Sequence, residues 1–588
     1  MTNSSDYDVV IMGSGIAGTM LGAILARHGL KPLLLDATTH PRFAVGEATT
    51  PDTSFRLKLL SLKYDLPEIH NLSSFHRLRD HVSPACGVKR AFSFLYQRDG
   101  LEQDPKESHQ YPTLAPPTGP DCHFFRQDTD AYMLSVALGY GAKVLQSTQV
   151  TEFEFEEDCV HLTTNHGKKI TARYVVDAAG YRSPLADRFG LRDDPNTLRT
   201  NSRSIFTHMV GVKHMDQVGK PFRQYGLKYP LSQGTLHHVF EGGWFWVIPF
   251  NNHRDAVNPL CSVGLVLNRE LHPETGKDAE EEFWEIVNRY PEMVRQLEGA
   301  TVARPWVSTG RIQYCSKVIT GHRFCLLAHA AGFIDALFSS GMSLTAYTVD
   351  LLSNRLLSAF ETNDFSVESF RDVDTCFREG LRHYDELVGS SFVAFRDFDL
   401  WDAWFRVWVV AVLISTGQNA NLYFRYLESR DRKVLAESQR PPYSGVLGMN
   451  FADFRQLYDA ALAEMDAVRD GRVEPKEAAD KIRAMFKGIK YCPTYWRWPD
   501  KSVRTTPAFT VWGMTKMYFW YFLHAPKHVR KAMWDWSPLT AYVYIFDSII
   551  DSRRSAARRR RHFLRDVFRA WNTDWTSEPA ESKGVPSR

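Results

Sequence analysis

Four groups of residues in this chain have types and spacing that chemistry requires. The first is Gly13-Ser14-Gly15-Ile16-Ala17-Gly18. The apolar run Val9–Met12 precedes it, and Met20, Leu21, Ile24 and Leu25 follow at helical spacing. Gly13 permits a tight turn, Gly15 lets backbone approach a pyrophosphate, and Gly18 lets helix and strand pack closely. Ala17 completes the turn. The free N–H groups and positive dipole of the helix start suit phosphate. Pro32–Leu35 reads as the next strand and ends at Asp36, an acid placed to accept from a ribose hydroxyl. Together these predict a βαβ dinucleotide site; the alternative is a glycine-rich turn with no ligand.

The second group lies in FEGGWFWVIPFNN, Phe240–Asn252. On a strand, Trp244, Trp246 and Ile248 point to one face, and Pro249 closes the run. Two indoles there can wall one compartment from another, although plain core packing also uses such pairs. The third is Lys89 in CGVKRAFSF, beside Val88, Phe92 and Phe94. A desolvated amine has a lowered pKa and is a better nucleophile or hydrogen-bond partner. Its alternative is a strand-edge lysine with its amine in water. Arg90 points to the opposite face and reads as structural. Lys58 and Lys63, in RLKLLSLKYDLPE, read as solvated residues of an amphipathic helix. The fourth is Ser339-Ser340-Gly341 at a helix start, which offers N–H groups to an anion. Serine N-capping is the plainer reading.

These residues need a scaffold of some size. The chain has 588 residues, which fits two or three domains. Its 44% apolar and 24% charged content is that of a globular protein. A net charge of +3 argues against a nucleic acid partner. Eight cysteines include no CxxC pair, so no metal site or redox dithiol is expected, and the thiols suit a reducing, cytoplasmic setting. No signal peptide is visible at the start. The longest apolar run, near Trp408–Ile414, is far short of a transmembrane segment.

Val160–Thr164, Ile170–Val176, Ser202–Val212 and Thr235–Pro249 read as strands, the last two in a mixed sheet, and Asp278–Leu297 as a helix. Helical periodicity dominates after about residue 360, with an aromatic helix over Phe392–Trp408 that could cap a pocket. The expected fold is α/β: a Rossmann-like body with a mixed β-sheet over residues 1–385, and a mostly α-helical C-terminal region over 386–588. Glu437–Gly445 is polar and bears prolines, and Arg553–Arg561 reads as a solvated basic helix end. Three later features favour FAD over a nicotinamide: Arg126 four residues before Asp130, Val175–Gly180, and Ala331–Asp335 leading to a helix start. A second GxGxxG is absent.

Trp244–Pro249 fits the pattern WxWxIP. With RQDTDAYM, SRSIFTHMVGV, GTLHHVFEGGWFWVIPFNNH and HAAGFIDALFSSG, it makes the chain resemble the flavin-dependent halogenases. Within them it resembles the subgroup of the monodechloroaminopyrrolnitrin and chlorotetracycline halogenases. The resemblance covers most of residues 1–385 and, more loosely, the helical remainder. It implies FAD, supplied as FADH2 by a separate flavin reductase, with O2 and chloride or bromide. Gly13, Gly15, Ala17, Gly18, Asp36, Arg126 and Asp335 then serve the cofactor, and Ser339, Ser340 and Gly341 the halide. Trp244, Trp246, Ile248 and Pro249 separate flavin from substrate, and Lys89 relays hypohalous acid. The implied substrate is a free, electron-rich pyrrole or phenol of secondary-metabolite and antibiotic biosynthesis.

Some positions depart from the family. Ala328-His329 stands where many members have Gly-Asp, Ala336 replaces a proline, and Ser340 stands where the two relatives have arginine. Loss of the proline is expected to loosen the turn. Phe338 occupies the place of the glutamate of tryptophan halogenases, which argues against a free indole. Glu241, His237 and His238 are candidates for a substrate-side base, and adjacent histidines on a strand cannot both serve. The alternatives are a flavin-dependent aromatic monooxygenase, a hydroxylase, and a non-catalytic flavoprotein.

Overall fold

The computed structural model describes residues 5–550 except 117, 440–445, 506–510, 541 and 548, and beyond them only 553 and 557. Most of Glu437–Gly445 and of Arg553–Arg561 therefore lies outside the described residues. Contacts divide the chain into two compact units, Met1–Trp536 and Ser537–Arg588. Every site element belongs to the first. In the second, residues 538–540 and 542–547 are helical.

The first sheet centres on strand Tyr7–Met12. Pro32–Leu35 and then Lys143–Leu145 lie on one side, Lys169–Asp177 and then Phe324–Leu326 on the other, all parallel. Val9, Val10, Ile11, Leu33 and Leu34 are fully buried, as strands covered on both faces must be. Helix Ile16–Arg27 crosses between the first two strands and buries Met20, Leu21, Ile24 and Leu25. An antiparallel hairpin, Val150–Phe155 and Val160–Thr164, extends this sheet beyond Lys169–Asp177.

The second sheet runs Thr301–Val302, Ser202–Val210, Leu260–Asn268, Gly243–Pro249, Thr235–Phe240, Ala91–Tyr96, Ser108–Pro112. It is antiparallel except where Thr235–Phe240 meets Ala91–Tyr96. The segment Thr235–Pro249 is thus a hairpin, turning at Gly242 with φ +83°. Phe245 and Val247 face a core with Phe283, Val287, Met293 and Leu297. Those four come from two helices, Ala279–Val287 and Pro291–Leu297, rather than one, because Pro291 starts a new helix more readily than it continues an old one.

Three long helices follow: Gly341–Thr362, Arg371–Ala394 and Phe398–Ser429. The boundary expected at 385 falls inside the second, and both sides of it belong to the first compact unit. The aromatic run Phe392–Trp408 is not one helix. It breaks before Asp397, whose carboxylate accepts from Leu400 N at 3.0 Å and caps the third helix. Trp401, Phe405 and Trp408 then form one stripe on that helix and pack on Phe94.

Candidate active site

The glycine turn has the geometry its spacing predicted. Gly13 has φ +100°, and a Cβ there would lie 2.4 Å from the Ala178 carbonyl oxygen. A Cβ on Gly18 would lie 2.1 Å from the Gly13 carbonyl oxygen. Both positions therefore require glycine. Gly15 caps helix Ile16–Arg27 with no side-chain hydrogen bond, so its first N–H groups stay open to a ligand. Asp36 accepts from Ser14 N at 2.8 Å, Ser14 Oγ at 2.6 Å and Thr38 N at 2.9 Å. Burial pushes its pKa up, but those hydrogen bonds outweigh burial and hold it below the usual carboxylate range.

Arg42 was not singled out in the sequence. Its guanidinium lies 3.3 Å from where a Gly15 Cβ would be, and its Nε has no partner among the described residues. Its Nη2 also lies 3.5 Å from Asp36 Oδ2, a loose pairing that leaves its other donors available to an anion at the helix N-terminus. The open N–H groups, the glycine cradle and this cation fit a pyrophosphate. Arg126 binds Asp130 with two hydrogen bonds of 2.7 and 2.9 Å and reaches the carbonyls of Val45 and Gly46. It therefore positions the segment that leads to Glu47. Asp335 accepts from Leu337 N at 2.9 Å and Ser202 Oγ at 3.2 Å. Those bonds brace the Asp335–Phe338 turn at the place where proline is missing. Burial raises the Asp335 pKa to about 7.

Lys89 ends the short strand Gly87–Lys89, which pairs with Asp121–His123. Its side chain is fully buried. Nζ lies 3.4 Å from the Phe92 ring centroid and donates to Ser339 Oγ at 3.2 Å. Burial pulls its pKa well down, against the opposing pull of Asp121 across the ribbon. The Asp121 pKa is raised to about 6 by burial. Burial thus disfavours the protonated form of the Lys89 amine. Arg90 faces away, donates to Gln233 Oε1 at 2.9 Å and stacks on Tyr229.

The tryptophan strand leads to this amine. Trp244 and Trp246 lie side by side, ring centroids 5.7 Å apart, on the face opposite Phe245. Trp246 Nε1 donates to Ser262 Oγ at 3.1 Å. Its indole covers Gly264, where a Cβ would lie 2.1 Å from the ring. Trp244 faces His237, which stacks on Phe94 at 4.2 Å. Pro249 ends the strand against the lysine ribbon: its carbonyl oxygen would be 2.3 Å from a Gly87 Cβ and takes a hydrogen bond from His123 Nδ1 at 2.9 Å. Asn252 then binds both backbone groups of Val88, accepting from its N–H at 2.8 Å and donating to its carbonyl at 2.7 Å. Asn252 was also missed; only the tertiary fold brings it to the residue before Lys89.

Ser339 has φ +52°, and helix Gly341–Thr362 begins after Ser340 with no side-chain cap. The plainer reading, a serine cap, does not hold, and the helix start is open to an anion. Phe338 stacks on Trp408 at 4.6 Å, so it walls the same space as Phe92. His329 Nε2 lies 3.2 Å from a Gly341 Cβ position and has no partner among the described residues. Burial, then Arg126, lowers its pKa to about 4. His237 lies on the tryptophan face, while His238 bonds Gln97 and Gln296 on the other. Glu241 is exposed.

One expectation fails outright. Lys58 and Lys63 are not solvated. Lys58 is 1% exposed and donates to the Thr118 carbonyl at 2.7 Å, and burial lowers its pKa to about 7. Lys63 pairs with Asp350 at 2.8 Å. Their helix, Pro51–Lys63, packs under both Gly341–Thr362 and Phe398–Ser429. Its local pattern shows one apolar face, but the fold covers the polar one as well.

Comparison with known proteins fits this geometry. Residues 6–307 match the family model of the FAD binding domain. Monodechloroaminopyrrolnitrin halogenase PrnC of Pseudomonas fluorescens is 39% identical over 92% of this chain and 95% of its own. Tetracycline 7-halogenase of Kitasatospora aureofaciens is 44% identical over 80% of this chain and 85% of its own. The crystal structure of halogenase PltM with phloroglucinol and FAD superposes with TM-score 0.81 and 34% identity, over 85% of this chain and all of that one.

Proposed function

Because the chain belongs to the flavin-dependent halogenases, enzymes that use FAD, O2 and a halide, we propose that it chlorinates or brominates a free, electron-rich aromatic small molecule of the pyrrole or phenol type. The observation that carries this reading is the 3.2 Å contact between Lys89 Nζ and Ser339 Oγ. It joins a buried amine to the turn where an anion-binding helix begins.

Gly13, Gly15, Ala17, Gly18 and Asp36 would hold the adenosine and pyrophosphate part of FAD, with Arg42 closing over the phosphates. Arg126 and Asp335 would shape the walls on either side. When bound and reduced by a separate reductase, FAD supplies with O2 the oxidising power that turns halide into hypohalous acid. Ser340 and Gly341 would hold the halide by backbone N–H groups, with Ser339 contributing through its side chain because its own N–H donates to the Ala336 carbonyl at 2.9 Å. Trp244, Trp246, Ile248 and Pro249 wall the flavin from the organic substrate. Lys89, whose protonated form burial disfavours, would hold the hypohalous acid by a hydrogen bond or take its halogen. In the second case an N–halogen bond forms, the halogen–oxygen bond breaks, and the amine proton leaves with hydroxide as water. The halogen then passes to a ring carbon, which loses its proton, and the amine is restored.

The substrate class rests on likeness. PrnC and the tetracycline enzyme are named for small molecules, and the PltM structure holds phloroglucinol, a phenol. Phe338, where an indole-binding glutamate would stand, supports a substrate other than free tryptophan. Phe92, Phe94, Trp401, Phe405 and Trp408 form a buried aromatic cluster, and the Phe92 ring centroid lies 3.4 Å from Lys89 Nζ. The helical region from 386 to the end of the first compact unit at Trp536 would thus cover the substrate side of the body formed by 1–385.

The test is turnover with a flavin reductase, NADH, FAD and a panel of pyrroles, phenols and indoles, in chloride and in bromide, read by mass spectrometry. A product with one hydrogen replaced by the halogen supplied supports the reading. A product heavier by one oxygen in either salt makes the protein a hydroxylase instead.

A further inference from the structure

We propose that the hairpin Val150–Phe155 and Val160–Thr164 carries a site for a borderline transition-metal dication, zinc being the ordinary member of that class, with Glu156, Cys159 and His161 as ligands. The hairpin lies on the outer part of the first sheet, away from the residues assigned to halogenation.

Register brings the three together. Phe155 pairs with Val160 and Glu154 with His161, and at the turn Glu156 N donates to the Cys159 carbonyl at 2.9 Å. Directly opposite residues share a face of a sheet, as do residues two apart on one strand. Glu154, Glu156, Cys159 and His161 therefore stand on one face.

The donor atoms already have the spacing of a coordination shell. Cys159 Sγ is 3.5 Å from His161 Nε2 and 3.6 Å from Glu156 Oε2, and His161 Nε2 is 3.3 Å from Glu156 Oε1. Bonds of about 2.3 Å to sulfur and about 2.0–2.2 Å to nitrogen and oxygen, at tetrahedral angles, give donor separations of about 3.4–3.6 Å. The cysteine and histidine contacts are to different oxygens of Glu156; with one ligand atom from each residue the three lie within 4.8 Å of one another, so a rotation of the Glu156 carboxylate brings them round one ion. One thiolate, one imidazole and one carboxylate select a zinc-like ion over magnesium or calcium.

The surroundings hold the donors ready. His161 is paired with Thr171 in the next strand, and its Nδ1 lies 3.2 Å from Thr171 Oγ1. With Nδ1–H given to that hydroxyl, the Nε2 lone pair points at the site. The turn itself is pinned: His322 Nε2 donates to the Glu156 carbonyl at 3.0 Å, and Arg323 Nε to the Glu157 carbonyl at 2.6 Å. Cys159 is buried, whereas Glu156 is exposed, so an ion can enter from solvent. Water or Glu154 would complete four-coordination. Binding displaces the Cys159 thiol proton, so affinity rises with pH.

A search for CxxC pairs misses this site, because the ligands run Glu-x-x-Cys-x-His round a hairpin.

The full chain, stripped with a chelator and then freed of it, is titrated with Zn2+ by calorimetry and with Co2+ by absorbance. One equivalent should bind, with a thiolate-to-cobalt charge-transfer band in the near ultraviolet. Cys159→Ser and His161→Gln should each weaken binding more than about 100-fold, and Thr171→Val about tenfold. FAD binding reports that the variants remain folded. Absence of stoichiometric binding by the unaltered chain overturns the site, and so does absence of the thiolate band. Zinc affinity equal in the unaltered chain and both ligand variants does the same. None of these readouts depends on halogenation.

Discussion

Lys89 Nζ lies 3.2 Å from Ser339 Oγ, a contact between residues 250 apart in the chain. The amine belongs to a two-stranded ribbon, and the hydroxyl belongs to the turn before helix Gly341–Thr362. Each is held by different neighbours, so their meeting depends on both parts of the fold. That meeting separates the chemistry of the amine from the binding of the cofactor. Lys89→Met should abolish halogenation while FAD still binds and reduced FAD is still oxidised by O2. Retained chlorination by this variant would remove the relay from Lys89.

Asn252 holds Val88 by its N–H and its carbonyl, immediately before Lys89. Asn252→Ala leaves two buried backbone groups unpaired, at a cost of about 1–3 kcal/mol each. A shift of about 1 Å in Lys89 would lower kcat by about 100-fold. FAD affinity should not change. Steady-state kinetics beside a flavin titration distinguishes this from general unfolding, which would lower both.

Trp246 lies flat over Gly264, where a Cβ would be 2.1 Å from the indole. Gly264→Val must therefore displace the ring. Overpacking of this kind costs about 1–3 kcal/mol, read as a fall in Tm. With the wall disturbed, fewer halogenated products should form per NADH consumed, and the remainder should appear as peroxide or oxygenated product. Unchanged coupling at a lowered Tm would mean that the indole is only core.

Arg42 points its guanidinium over the Gly15 turn. Arg42→Ala should weaken FAD binding about tenfold or more, and the affinity of the unaltered chain should fall with salt more steeply than that of the variant. Gly15→Val should block FAD altogether. Equilibrium dialysis at two ionic strengths settles both, and equal affinities would place the phosphates elsewhere.

Lys58 links burial to pH. Its pKa is about 7 folded, against 10.5 ordinarily. Between those values the unfolded chain binds a proton that the folded chain does not, so stability rises with pH across that window and the deficit saturates below about pH 7. Lys58→Met removes this contribution, on the order of 5 kcal/mol over the window. Urea midpoints from pH 6 to 10 should show the advantage of the variant shrinking as pH rises. A constant difference would mean that Lys58 is solvated in solution.

What the sequence determined by itself was local. The βαβ unit was legible because Gly13 takes a φ of +100° and Gly18 packs on the Gly13 carbonyl within one turn, and because the apolar periods of strand and helix differ. The alternation of Trp244 with Phe245 followed from the two-residue period of a strand, which no tertiary contact can change. Lys89 was legible from its apolar neighbours and from resemblance to a family. The tertiary structure decided everything that needs two distant segments. Lys58 and Lys63 have the pattern of an exposed helix, yet two later helices bury them, and no local period records a second covered face. Arg42 and Asn252 lie in ordinary loop sequence and gain meaning only from what folds against them. Glu156, Cys159 and His161 converge because a hairpin register pairs them, a constraint set by backbone hydrogen bonds rather than by side-chain spacing.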